Sequence, residues 1–489
     1  MKTILALIFS ASLTATAQLG TDYHCEQEAV INDFATIYTP GQTEVLQPPL
    51  ILKPGPHLLI DDALIASTSN VLRVVSMPQR DPAIPNPIVS GKEDGCFQPY
   101  LSVIRADSGE FRLWFGRCTE DFQTNRQTVG YLESEDGIHW ERPARALALP
   151  GEMQFGVSII NAGPLAARPE SRFVFGFHAP EGGLKFGISP DGLSWAWLKD
   201  AVVLHHNHDI NSIYFDAARG RYIATISVYR EGGWWQGKRR ITMHSFSTDL
   251  EQWTPARYVI LPDQERDSGE TQFYAMDGYF PRGELLIGMV KVLRDDVKVD
   301  TPPDPPDAYG MGHTTLAWSH DGEHWTRDTT PFFSPNPERG AWDHAHAWID
   351  EQVPVGDQVY LYYGGYARGH KVNRFEERQI GLLIMKKDRY AGWQSTAPDG
   401  ELQTRPLVLQ AGALRINADA TSGEVLAELQ DGEGKPIPEF TFDDCQPVSG
   451  DQIDAPLGWA QPLSTLPGKT IRIVFRLDHA TLYALYLSE

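Results

Sequence analysis

Four acids stand just before, or at the opening of, segments that read as β-strands. They are Asp94 ahead of "GCFQPYLSV", Asp209 in "HHNHDINSIYFDAARGRYIA", Glu270 before "TQFYAMDGYF" and Asp343 in "WDHAHAW". Carboxylates that reach a common space can divide the work of general acid and general base between them. The Asp209 stretch also carries His205, His206 and His208, with His313, His344, His346 and His370 elsewhere. H-H-x-H lacks the fixed ligand spacing of a helical H-E-x-x-H, so it reads as a polar strand end beside a catalytic carboxylate, and no metal ligand is assigned. Strand alternation puts Asp209 and Asn211 on one face. Asn161, His208, Tyr274, Trp342, His346 and His370 are candidates to line the same space. Trp234 and Trp235 in "YREGGWWQGKRR" offer flat faces for stacking. Arg230, Lys238, Arg239 and Arg240 offer donors to an anionic group.

Distant residues meet only if the fold gathers them, and an internal repeat says how. "SEDGIHW" (134–140), "SPDGLSW" (189–195), "STDLEQW" (247–253) and "SHDGEHW" (319–325) are copies of S-x-D-[GL]-x-x-W, and "KKDRYAGW" (386–393) is a degenerate fifth. Asp-Gly favours a tight turn between strands. Each copy follows an inner strand, a hairpin such as "IRADSGEFRLWF", and a third strand that runs into its Ser. Four strands per unit, repeated, predict an all-β chain folded as a five-bladed β-propeller over residues 57–400. Inner strands are expected near 96–104, 156–161, 209–215, 271–278 and 342–349, with residues 57–76 supplying the missing outer strand of the last unit. Beyond about residue 400 the repeat stops, and short alternating strands predict a small C-terminal β-sandwich of jelly-roll type over 401–489.

Composition bounds the partners. The chain carries 42 basic and 64 acidic residues, a formal charge of −22, which argues against nucleic acid and anionic membrane surfaces. "MKTILALIFSASLTATAQ" reads as a secretory signal cut after Ala15-Thr16-Ala17, so residues 1–17 are expected to be removed and the protein exported or periplasmic. Residues 18–56 have no strong pattern and form an N-terminal extension. Cys96 and Cys118 flank a predicted hairpin turn, which makes a disulfide plausible; Cys25 and Cys445 are left to pair or stay free.

With "LLIDDALI", "DINSIYFDAARGRYIA", "GAWDHAHAW", "VYLYYGGYARGH" and "LRINADATSGEVLAEL", the chain resembles the five-bladed propeller glycoside hydrolases of families 32, 43, 62, 68 and 117. It is most similar to secreted family 32-like proteins of unassigned specificity. The resemblance implies a carbohydrate substrate and three acids from successive blades: Asp94 as base, Asp209 as the carboxylate that tunes the acid, and Glu270 as general acid, with Asp343 in reserve. It implies no required cofactor, and leaves room for a structural cation in the central channel, near His346 or His313. The WMNDPNG-like segment and Glu-Cys pair of fructosidases are missing, since Cys96 follows Gly95, so a fructan substrate is not implied. The leading expectation is a secreted glycoside hydrolase acting on a plant, algal or microbial polysaccharide or oligosaccharide. Alternatives are a non-catalytic carbohydrate-binding propeller, or a polysaccharide lyase using Tyr274 and the histidines. Sialidase-like chemistry ranks low, because Asp and Gly adjoin in the repeated motif and no arginine triad stands out.

Overall fold

The computed structural model describes residues 35–41, 49–118, 127–143, 147, 149, 155–231, 235–303, 305–373, 376–466 and 468–488. The expected signal segment, Cys25 and Trp234 lie outside these residues. Strands dominate, as the alternating pattern predicts, and among the described residues no helix is long and apolar enough to cross a membrane.

Among the described residues, five antiparallel meanders follow one another from Cys96 to Lys386. The first holds Cys96–Arg105, Phe111–Cys118 and Gln127–Ser134; the second holds Phe155–Asn161, Phe173–Ala179, Gly183–Ser189 and Ala196–Trp197. The third holds Asn211–Asp216, Arg221–Glu231, Lys238–Ser247 and Arg257–Ile260. The fourth holds Thr271–Arg282, Leu285–Lys298, Tyr309–Ser319 and Trp325–Phe333, and the fifth His346–Val355, Gln358–Tyr366 and Arg378–Lys386. A single parallel bridge, Gly312 to His346, joins the last two.

The opening strand of each meander lies beside that of the next, and Cys96–Arg105 lies beside His346–Val355, so the series closes on itself. Serines stitch these strands together. Ser102 Oγ accepts from Ile159 N at 2.8 Å, Ser158 Oγ accepts from Ile213 N at 2.9 Å, and Ser212 Oγ donates to Met276 O at 2.9 Å. Such bonds satisfy backbone groups that no ladder reaches.

The repeated motif is a turn with a fixed bonding pattern. Asp136 Oδ1 accepts from Ile138 N and His139 N, both at 2.8 Å, while Ser134 Oγ accepts from Gly137 N at 2.9 Å. Asp191, Asp249 and Asp321 repeat this scheme. The residue after each Asp has a left-handed backbone, φ 76°, 77° and 75° at Gly137, Gly192 and Gly322, which glycine adopts without strain. Leu250 takes φ 69° in the third copy and buries its side chain there. Two of the motif tryptophans then pack between meanders: Trp140 meets Tyr362 edge-on, and Trp253 stacks on Phe186.

Closure differs from expectation. Ile65–Ser69 and Val71–Val75 pair with Gly400–Thr404 and Ala391–Ser395, inside the C-terminal sheet. The fifth meander instead takes residues 86–89: Ile380 N donates to Val89 O at 2.9 Å, and Leu382 N donates to Asn86 Oδ1 at 2.8 Å. Prolines deprive "IPNPIV" of backbone donors, and such a segment is tolerated only at a sheet edge. Residues beyond Ala391 and those from Leu50 to Val75 form an eleven-stranded sheet around its own core, which includes Leu414, Ile416, Ile473 and Phe475.

The expected Cys96–Cys118 disulfide is not formed. Cys96 is a buried free thiol that pairs in register with Arg117, while Cys118 pairs in register with Gln127 on the following strand. Cys445 is free and buried too.

Candidate active site

The opening strands bring one group of polar side chains together near their N-terminal ends. The loop 205–210 delivers His208 and Asp209; Lys238–Ser247 delivers Arg240; Thr271–Arg282 delivers Gln272 and Tyr274; Leu285–Lys298 delivers Asp295; and the turn after Gln358–Tyr366 delivers His370. Antiparallel pairing explains why a middle strand contributes. Arg294 faces Thr271, so the far end of Leu285–Lys298 returns to the mouth where Thr271–Arg282 begins.

These groups form a continuous chain. Asp209 Oδ1 lies 3.1 Å from His208 Nε2, which accepts from Arg240 Nε at 3.0 Å. Arg240 Nη1 donates to Gln272 Oε1 at 2.7 Å and to Asp295 Oδ2 at 3.1 Å. His370 Nδ1 meets Asp295 Oδ1 at 3.0 Å, and its Nε2 meets the Tyr274 hydroxyl at 3.3 Å. The Arg240 guanidinium lies 4.7 Å from the Tyr229 ring centroid and 5.0 Å from that of Tyr274, so two aromatic faces hold it in place. Tyr274 stacks on Trp348 at 4.9 Å. The histidines and Arg240 are buried, whereas the Asp209 and Asp295 side chains are 27% and 29% exposed, so the two carboxylates are the acidic groups that face outward.

Charge states follow from these contacts. Burial alone would raise Asp295, but the hydrogen bond from His370 and the Arg240 charge outweigh it and hold the carboxyl at about 2. Burial lowers His370 to about 4 despite Asp295, so its imidazole is neutral at neutral pH and Arg240 is the cation that keeps Asp295 ionised. Burial, aided by the Arg240 charge, also pushes His208 well below the ordinary histidine range.

Below this group an axial cavity of about 40 Å³ is lined by Tyr100, Asn211, Asp277, Asp350 and Glu351, among others. That is room for roughly one to three waters. Lys291 Nζ sits 2.6 Å from Asp277 Oδ2 and also bonds Asp350, so an ammonium already joins two of the axial carboxylates. Among the described residues no three His, Cys, Asp or Glu side chains converge as a metal-ligand set, near His346 and His313 included.

The expected site residues divide. Asp209, His208, Arg240, Tyr274 and His370 meet as described. Asn211 lines the axial cavity with both amide atoms unpartnered, and His346 is fully buried behind Trp348 and Tyr366. Asp94 does not join them: it ends the single turn Gly91–Asp94 and is gripped by Arg142 at 2.8 and 2.9 Å and by Ser90 N at 2.8 Å. Asp343 is wholly buried against Arg80 Nε, 2.7 Å, and the Tyr363 hydroxyl, 3.0 Å. Glu270 is exposed and lines a separate lateral cavity with Trp235, whose ring packs mainly in the third meander's core. Trp342 stacks on Tyr363 among residues of the fourth and fifth meanders. Asn161 lies at the far end of its strand and accepts from Gly163 N at 2.9 Å, a turn-capping role. Sequence reasoning missed Asp295, Gln272, Tyr229 and Tyr100. The adjacent acids of "VLRDDVKVD" were the available signal, since a middle strand ends where its opening neighbour starts.

No family model and no curated protein matches the chain. Solved structures do. The chain is similar to β-1,2-mannobiose phosphorylase from Listeria innocua, with 13% identity, TM-score 0.44, and coverage of 65% of this chain and 97% of that one. It is similar to a glycosyl hydrolase from Bacteroides ovatus at 16% identity and TM-score 0.44, covering 65% and 95% of the two chains. A third comes from the GH130 family of mannoside phosphorylases, described as containing glycoside hydrolases that target β-1,2 mannosidic linkages in Candida mannan, and matches at 16% identity and TM-score 0.43 over 64% and 95%.

Proposed function

We propose that this chain is an exported glycan-cleaving enzyme: a five-bladed β-propeller of about residues 86–386, braced by a β-sandwich built from residues 50–75 and 391–488, that hydrolyses glycosidic bonds at Asp209 and Asp295. The observation that carries this reading is the Asp209–His208–Arg240–Asp295 chain, which holds two outward-facing carboxylates in unlike environments. Unlike environments are what separate an acid from a base.

An arginine Nε–H can only donate, so His208 Nε2 is an acceptor. The same nitrogen lies 3.1 Å from Asp209 Oδ1, so the Asp209 carboxyl stands against a neutral, buried imidazole while Asp295 stands against the Arg240 cation. Asp209 is then the general acid that protonates the leaving oxygen. Asp295, ionised by Arg240, activates water or attacks the sugar carbon. Gln272 and His370 orient Asp295, and Tyr229 and Tyr274 hold Arg240. This chemistry needs no metal.

The Tyr274–His370–Asp295 sequence of contacts favours a second reading, β-elimination by a lyase with a Tyr or His base. Two carboxylates at the mouth disfavour the uronate such an enzyme needs. The test is a panel of plant, algal and microbial polysaccharides, with β-1,2-mannobiose included, analysed for product size and ultraviolet absorbance. Hydrolysis predicts new reducing ends without absorbance. Unsaturated, absorbing products would instead establish elimination, and binding without any product would establish a lectin-like module.

A further inference from the structure

Beside the site, on the same side of the ring, lies a cavity of about 720 Å³ lined by Trp235, Gln236, Arg239, Gln264, Glu270 and Thr271, among others. Its volume falls within the range of about 300–1,000 Å³ of small-ligand sites. The strands that wall it are those that build the site. Successive residues of a strand point to opposite faces. Arg239 faces the lateral cavity and Arg240 the carboxylates; Thr271 faces the cavity and Gln272 bonds Arg240. Arg294 and Asp296 pair with each other behind the Ser268–Glu270 wall while Asp295, between them, belongs to the site.

From this shared wall we propose that the lateral cavity is a second glycan subsite, holding a further, uncharged sugar of the same chain whose bond is cut between Asp209 and Asp295. The inference rests on the function proposed above. Its chemistry fits hydroxyl groups. The Arg239 guanidinium, 7% exposed as a residue, donates to Lys238 O at 3.2 Å and makes no ion pair among the described residues. Glu270 offers an exposed carboxylate, and Gln236 and Gln264 offer amides that both donate and accept. An acidic sugar is disfavoured, because Asp263, Asp267 and Glu270 outnumber Arg239 in the lining. Asp267 already answers Arg327.

The experiment measures kcat/KM for a ladder of two to five sugars prepared from the panel glycan that the wild type cleaves, in the wild type, Arg239→Ala and Glu270→Gln. The ratio of long-substrate to short-substrate kcat/KM is expected to fall at least fivefold in each variant, through KM. An unchanged ratio overturns the subsite. If the wild type cleaves nothing, the catalytic reading has failed separately, and the same three proteins go onto a glycan array. There the subsite predicts that neutral glycans of three or more sugars bind the wild type and lose signal with Arg239→Ala. No binding, or binding indifferent to Arg239, overturns it.

Discussion

At the scale of residues, acids that look alike in sequence have different surroundings in the fold. Asp94 and Asp343 each stand before a strand, yet each is consumed by an arginine, and these pairs hold the chain in place. Asp343→Asn leaves Arg80 facing a neutral group and is expected to lower stability by about 2–3 kcal/mol, read as a shift in denaturant midpoint. Asp94→Asn is milder, about 1 kcal/mol, because Arg142 is half exposed. Neither is expected to change kcat by more than about twofold, and a large loss of turnover in folded Asp94→Asn would reinstate it as the base. Strand-end position singled out Asp209 with His208 beside it, while Tyr274 and His370 were named only as lining candidates and Arg240 only as a donor in a basic run. Asp295 was not, because its place depends on which residue of a returning strand faces Thr271, and bulges in that hairpin hide the register from any count along the chain.

At the scale of elements, the repeated turn is a bonded device whose cost of removal can be stated. Asp191→Ala strips two backbone N–H groups and Ser189 of their acceptor at a largely exposed turn. A loss of roughly 1 kcal/mol is expected by thermal or denaturant unfolding. Leu250→Gly tests the opposite balance: it relieves the left-handed backbone by about 1 kcal/mol but empties a buried position worth about 2–3 kcal/mol, so net destabilisation is predicted. A more stable Leu250→Gly would mean that backbone strain dominates there. The motif and its spacing disclosed the meanders. They did not disclose the closing strand, because prolines mask residues 86–89 as a loop while the apolar run before them reads as the better strand.

At the scale of the whole molecule, pH is the informative variable. Burial lowers His178, His313 and His370 to about 4 and His206 and His244 to about 3, so the folded chain keeps them neutral while the unfolded chain protonates them near 6.5. Between those limits the unfolded state binds more protons. Stability therefore rises with pH across the window and falls on acidification, by up to about 1.4 kcal/mol per pH unit for each titrating group. The melting temperature is expected to drop steadily from pH 6.5 to pH 4. A flat profile there would contradict the burial of these rings. Asp295 keeps its full stabilising contribution above about 3.8 and loses it only as the pH falls from there toward about 2. Any acid limb of activity above pH 4 then belongs to other groups.

The most direct measurement is turnover of a cleaved panel glycan by Asp209→Asn, set beside Asp295→Asn and Glu270→Gln, with folding checked by circular dichroism. Both aspartate variants are expected to lose at least about a hundredfold in kcat with KM little changed, while Glu270→Gln retains most of its turnover on the shortest substrate. Wild-type kcat in folded Asp209→Asn, or a loss in Glu270→Gln as deep as in Asp209→Asn, would contradict that expectation.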